Sequence, residues 1–113
     1  MANTFKLKTK AAIGTGITTV YTVPSSTTAI VLGLVVGNVT GSSVNATVTV
    51  SSNTSDTETN VDVETVTNAP IPSGSSLETL SGGKLVLQTT DLLKITSSAA
   101  SSLDVCLSVM EIT

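Results

Sequence analysis

The sequence predicts an all-β protein: an antiparallel β-sandwich of jelly-roll-like topology with about eight strands. Three observations carry that expectation. Apolar and polar residues alternate strictly over whole segments, Val44, Ala46, Val48 and Val50 with Asn45, Thr47 and Thr49, and Leu103, Val105, Leu107 and Val109 with Asp104, Cys106 and Ser108. A period of two marks strands with one face on a core and the other on solvent. Val (15), Leu (11) and Ile (6) supply nearly all the apolar bulk beside 21 Thr, and branched side chains suit a pleated surface. No segment repeats its apolar residues at helical spacing, and turn residues interrupt the chain at short intervals.

The elements follow in order. Lys6, Lys8 and Lys10 alternate with Phe5, Leu7 and Thr9. Residues 1–12 therefore form a short basic N-terminal arm or edge strand, with three ammonium groups on one face and the apolar pair on the other. A strand at 17–23 stops at Pro24-Ser25-Ser26. The next, 29–39, is separated from 44–52 by Thr40-Gly41-Ser42-Ser43, and 53–60 is a polar connection. The strand starting at Val61 ends at Pro70 and Pro72, because proline removes a ladder donor. Gly82-Gly83 is expected to close a tight hairpin between 77–80 and 84–89. Residues 97–102 make the last turn, between 92–96 and 103–112. The stretches GSSVNATVTV (41–50) and ASSLDVCLSV (100–109) resemble one another, and are read as two similar hairpins rather than a solenoid repeat.

A chain of 113 residues is expected to be a single domain, residues 1–113, burying roughly 65% of its extended surface around an aliphatic core. Ser and Thr together number 37. Such a content can mean disorder, but Thr is at home in strands, proline is scarce, and the apolar runs recur. His, Arg and Trp are absent, and Phe and Tyr occur once each. Without His, the usual general base and the commonest metal ligand are missing. Without Arg and aromatic platforms, phosphate forks and base stacking have no agents. The expectation is no enzyme, no cofactor and no nucleic-acid partner. The single Cys106 excludes an internal disulfide framework. Met1 to Lys6 contains no apolar signal core, and the longest apolar run (29–36) is too short to span a bilayer, so no membrane partner is expected.

Candidate sites are few. Asp56, Glu58, Asn60, Asp62 and Glu64 place oxygen ligands at every second position, a chemistry suited to Ca²⁺. Without a glycine to turn the loop, a strand spreads them in a line, and a solvated face is the favoured reading, with no metal assigned. Lys6, Lys8 and Lys10 have two readings: lysines guarding an exposed sheet edge, or a basic contact for an acidic partner surface. Cys106 is expected as a small buried or half-buried thiol without activation. Gly14-Thr15-Gly16 lacks the third glycine of a phosphate cradle and is a turn. The triplets at Asn38, Asn45 and Asn53 occur near the frequency that composition alone gives.

Several segments together resemble small virion structural proteins of tailed bacteriophages, of the type found in phages of cyanobacteria. They are the opening Met-Ala-Asn-Thr-Phe-Lys, the segment from Val20-Tyr21-Thr22-Val23-Pro24 to Ile30, the turn from Ala69-Pro70-Ile71-Pro72 to Leu77, Asp91-Leu92-Leu93-Lys94-Ile95-Thr96-Ser97-Ser98, and Ser102 to Ile112. The resemblance implies a capsid decoration (cement) protein, assembled in the host cytoplasm and resident in the virion. Its implied partners are the major capsid protein and further copies of itself, with a homotrimer expected. Lys6, Lys8 and Lys10 are the implied partner contacts. A tail, neck or fibre component of the same virion is the alternative. A glycan-binding module is disfavoured by the near absence of aromatics.

Overall fold

The computed structural model describes residues 2–52, 62–80 and 83–113. Among them are nine strands and no helix: β1 (Asn3–Ile13), β2 (Thr18–Thr22), β3 (Thr28–Asn38), β4 (Val44–Ser51), β5 (Asp62–Ile71), β6 (Ser76–Glu78), β7 (Leu85–Leu87), β8 (Leu92–Ser97) and β9 (Leu103–Ile112). Sheet A runs β1-β9-β3-β6, with β7 also on β3, and sheet B runs β2-β8-β4-β5. All pairings are antiparallel; one set is nested, β4 with β5, β3 with β6 and β7, β2 with β8 and β1 with β9, and β3 with β9 and β4 with β8 close the two sheets. One long hairpin rolled into two facing sheets produces this order, which is that of a jelly roll.

Two details differ from the sequence expectation. β6 and β7 do not form a hairpin with each other. They lie in tandem along β3, β6 on Val35–Gly37 and β7 on Ala29–Val31, because β3 is long enough to receive both. Gly82 lies outside the described residues, and the Gly83 amide donates to the Leu80 carbonyl at 2.9 Å. The two similar stretches are not hairpins either. Each follows a corner at which the chain crosses between sheets, β3 to β4 from A to B and β8 to β9 from B to A. Serines before an apolar strand start thus mark sheet-to-sheet corners.

The core is aliphatic and built by alternation. Leu103, Val105, Leu107 and Val109 of β9 face Val44, Ala46 and Val48 of β4 and Leu93 and Ile95 of β8 across the sandwich, all of them buried. The corners are held by buried polar side chains. Asn38 donates through Nδ2 to the carbonyls of Ser42 (2.7 Å) and Ile71 (2.9 Å), and its Oδ1 accepts from the Thr40 amide (2.9 Å). Asp91 accepts from the Gln88 amide (2.9 Å) and the Ser52 hydroxyl (2.7 Å). At the β8–β9 corner the hydroxyls of Ser97 and Ser102 bond to one another. Among the described residues no buried side-chain nitrogen or oxygen lacks a partner, as a sealed interior requires.

Candidate functional site

The lysine strand is where sequence and structure meet most informatively. β1 is the edge of sheet A, and Lys6, Lys8 and Lys10 lie opposite Val109, Leu107 and Val105 of β9. Residues directly opposite in an antiparallel pair share a face. Because those β9 partners are core residues, the lysines occupy the inner side of the sheet, at the open margin of the sandwich. Phe5 and Leu7, opposite Met110 and Ser108, face outward. A bulge at Ala11–Ala12 produces this arrangement. The register shifts between Lys10 and Ile13, so Lys10 and the buried Ile13 share a side that their odd spacing would otherwise forbid. Ala12 takes φ 58°, and its amide donates to Asp104 Oδ1 at 3.0 Å.

The inward lysine has a purpose. Glu111 continues the inner phase of β9 and is 4% exposed, a carboxylate at a core position. Lys6 Nζ reaches its Oε1 at 2.8 Å, and Tyr21 Oη donates to its Oε2 at 2.5 Å. The Lys6 hydrogen bond, then that of Tyr21, holds the Glu111 carboxyl below its ordinary pKa against the opposing effect of burial, with Lys8 adding to the attraction. Burial, followed by the hydrogen bond and charge of Glu111, pushes the Tyr21 phenol well above its ordinary value. Lys6 and Glu111 belong to sheet A and Tyr21 to sheet B, so the trio ties the two sheets at the β1–β2 margin. Neither Tyr21 nor Glu111 was a sequence candidate. The signal was present: the apolar phase of Leu103, Val105, Leu107 and Val109 runs on into a glutamate.

The two outer faces differ sharply. On sheet B the outward residues include Thr19 and Thr22 of β2, Leu92, Lys94 and Thr96 of β8, Asn45, Thr47, Ser51 and the covered Thr49 of β4, and Asp62 and Glu64 of β5. Lys94 and Asp62 approach to 3.9 Å, and Glu64 accepts from Thr67 at 2.7 Å. On sheet A one row crosses four strands, Phe5–Met110–Ile30–Val86, and every member is apolar. Phe5 is 71%, Leu7 66% and Val86 59% exposed. The next rows carry Leu7, Ser108 and Gly33, then Thr9, Cys106, Val35 and Glu78. Cys106 is exposed, not buried or half-buried, because it alternates with the core phase of β9.

The remaining candidates are dispersed. Asp56, Glu58 and Asn60 lie outside the described residues, as does Asn53. Asp62 and Glu64 are engaged as described above, and no cluster of metal-ligating side chains occurs among the described residues. Asn38 is buried at its corner. No cavity opens between the sheets among the described residues.

No family model and no curated protein matches the chain. Solved structures resemble its shape. A chain from the disulfide-linked pili of Bacillus endospore appendages superposes with TM-score 0.55 at 15% identity, covering 99% of this chain and 87% of that one. A chain of the T13 particle of infectious bursal disease virus gives TM-score 0.58 at 12% identity over 96% of this chain and 30% of the viral one. The Gx strain of that virus gives 0.52 at 11% identity, over 96% and 36%. This chain therefore spans about a third of the length of those viral chains (30% and 36%). At such identities the likeness is one of fold.

Proposed function

We propose that the chain is a virion structural protein. It serves as a capsid decoration (cement) protein of a tailed bacteriophage, bound as a homotrimer on the outside of the head over junctions between major capsid protein subunits. The observation that carries the proposal is the division of the sandwich exterior. One face is crossed by a wholly apolar row and the other is rich in hydroxyls with an ion pair, Lys94–Asp62, which suits packing between protein surfaces rather than binding a small molecule. The jelly-roll shape shared with chains of a viral particle and of a pilus supports an assembly role. The action is by mass action: binding the assembled shell but not its dissociated subunits stabilises the shell. It involves no catalytic residue and no cofactor.

Lys6, Lys8 and Lys10 remain the proposed contact with the shell or a neighbouring subunit. Lys6 is partly committed to Glu111, which leaves Lys8 and Lys10 along the open margin to meet acidic groups. Removing residues 1–10 would strip an edge strand from β9, and Lys8 adds to the attraction that holds Glu111, so charge-reversed Lys10→Glu is the appropriate variant. Reduced occupancy on the capsid with an unchanged melting temperature is expected. A tail, neck or fibre component is the second reading, favoured by the near full-length likeness to a pilus chain. Densitometry of purified particles decides. A copy number near that of the major capsid protein is expected, a handful of copies supports the tail reading, and absence from the particle overturns both.

A further inference from the structure

We propose that the outer face of sheet A, centred on the row Phe5–Met110–Ile30–Val86, is the surface through which copies of this chain associate with one another. The inference deepens the self-assembling part of the reading above and does not depend on the virion part.

Lateral pairing through strand edges is disfavoured all round the sandwich. β1 carries inward lysines, β2 is five residues long and bulged, β5 contains Pro70, and β6 and β7 have three residues each. Short, bulged, proline-bearing or lysine-guarded edges resist strand addition. Association must then use a face. The face of sheet B is hydroxylated and charged, and it keeps its water readily. The sheet A row offers apolar side chains from all four strands.

Charge argues for a second copy as the occupant. The chain has a formal net charge of −3, so identical copies repel wherever charged regions meet. The Phe5 row carries no charged residue, and the Glu78 carboxylate, which reaches the far end of the adjoining Leu7–Ser108–Gly33 row beside Gly33, is occupied by the Leu34 and Leu80 amides. An apolar row without formal charge can be covered by another copy, around the three-fold axis of the trimer proposed above, without like-charge repulsion. The area is sufficient as well. The exposed parts of Phe5, Leu7, Val35 and Val86 amount to roughly 400 Å² on each copy. With their surroundings, two such patches approach the roughly 1,000 Å² that a specific interface requires.

Cys106 supplies a natural reporter, since it stands exposed on this face two residues from Ser108 and is the sole cysteine. The test is sedimentation velocity of the full chain across a concentration series up to about 200 µM, paired with the rate of Cys106 labelling by a maleimide. Wild type is expected to sediment as a closed oligomer, with Cys106 labelling slowing as concentration rises. Phe5→Thr/Val86→Thr keeps β-branched residues on the strands and is expected to weaken association about thirtyfold or more. Val86→Glu, far from the edge strand, should do the same and decides the matter if the double variant fails to fold. Thr19→Glu on the opposite face should leave association unchanged. A wild-type monomer at every concentration overturns the proposal, even if Cys106 were protected on particles, which would assign the face to another partner. An oligomer that survives both sheet A variants also overturns it.

Discussion

Replacing Tyr21 by Phe tests whether the Lys6–Glu111–Tyr21 trio holds the two sheets together. The substitution preserves the ring and removes a single hydroxyl, whose bond to Glu111 measures 2.5 Å. Its acceptor is charged and 4% exposed, so water cannot readily take the place of the lost donor. A hydrogen bond to a charged group contributes about 1.5–3 kcal/mol, and a loss of about 2 kcal/mol is expected. At about 2.1 cal/mol/K per residue, a chain of this length unfolds with an entropy near 0.24 kcal/mol/K, so the melting temperature should fall by about 8 °C. Thermal melts followed by circular dichroism and urea titration at neutral pH measure both quantities, and the urea slope should not change because the exposed area does not. Lys6→Met alone and combined with Tyr21→Phe completes a double-mutant cycle. Both partners hold one carboxylate, so a coupling of about 0.5–3 kcal/mol is expected. A melting temperature within about 2 °C of wild type, or strict additivity in the cycle, would refute the reasoning.

Three further outcomes follow from the same geometry. The folded carboxyl of Glu111 is held below its ordinary value, so its stabilisation is complete above the ordinary carboxylate range and is lost as pH falls through the folded value; Glu111→Gln should flatten the acid limb of a melting temperature–pH profile. Asn38→Ala removes donors to the Ser42 and Ile71 carbonyls and should lower unfolding free energy in urea by about 2–3 kcal/mol. Ala12 occupies a left-handed conformation, φ 58°, so Ala12→Val should destabilise by about 1–2 kcal/mol whereas Ala12→Gly should not, as paired thermal melts would read.

Much of the architecture was legible because alternation survives wherever a strand is covered on one face only. β4 and β9 declare their inner residues directly, and Pro24, Pro72 and the serine-rich corners mark the ends, whereas Pro70, expected to end β5, is paired with Asn45 inside it. Three things were hidden for physical reasons. The tandem placement of β6 and β7 on β3 depends on the length of β3, which no local motif near Gly82-Gly83 reveals. The pairing of Tyr21 with Glu111 joins residues 90 apart, and nothing in either local sequence specifies the other. The orientation of β1 depends on a bulge between two alanines, and Ala11–Ala12 lacks the glycine or asparagine that ordinarily announces a left-handed residue. Alternation showed that Phe5 and Leu7 share a face; it could not show that this face is the outer one.

That bulge bears directly on assembly. A straight β1 with Ile13 inside would also place Phe5 and Leu7 inside, since all are an even number of residues apart. Fully burying those two side chains would be worth about 3–6 kcal/mol, and the open margin, where the Lys6 side chain is 42% exposed, would realise only part of it. The observed register forgoes that burial and places Lys6 beside Glu111 instead. Part of the difference is recovered at once, because a buried carboxylate left without its cation costs about 3–5 kcal/mol. In the isolated chain this register leaves Phe5 71% and Leu7 66% exposed. In the association proposed through sheet A, another copy would cover Phe5 and Leu7 and restore the burial that the bulge gives up, while the ion pair stays in place. The register of β1 is thus the feature of the fold on which the proposed association through sheet A rests, and it is independent of any likeness to other proteins.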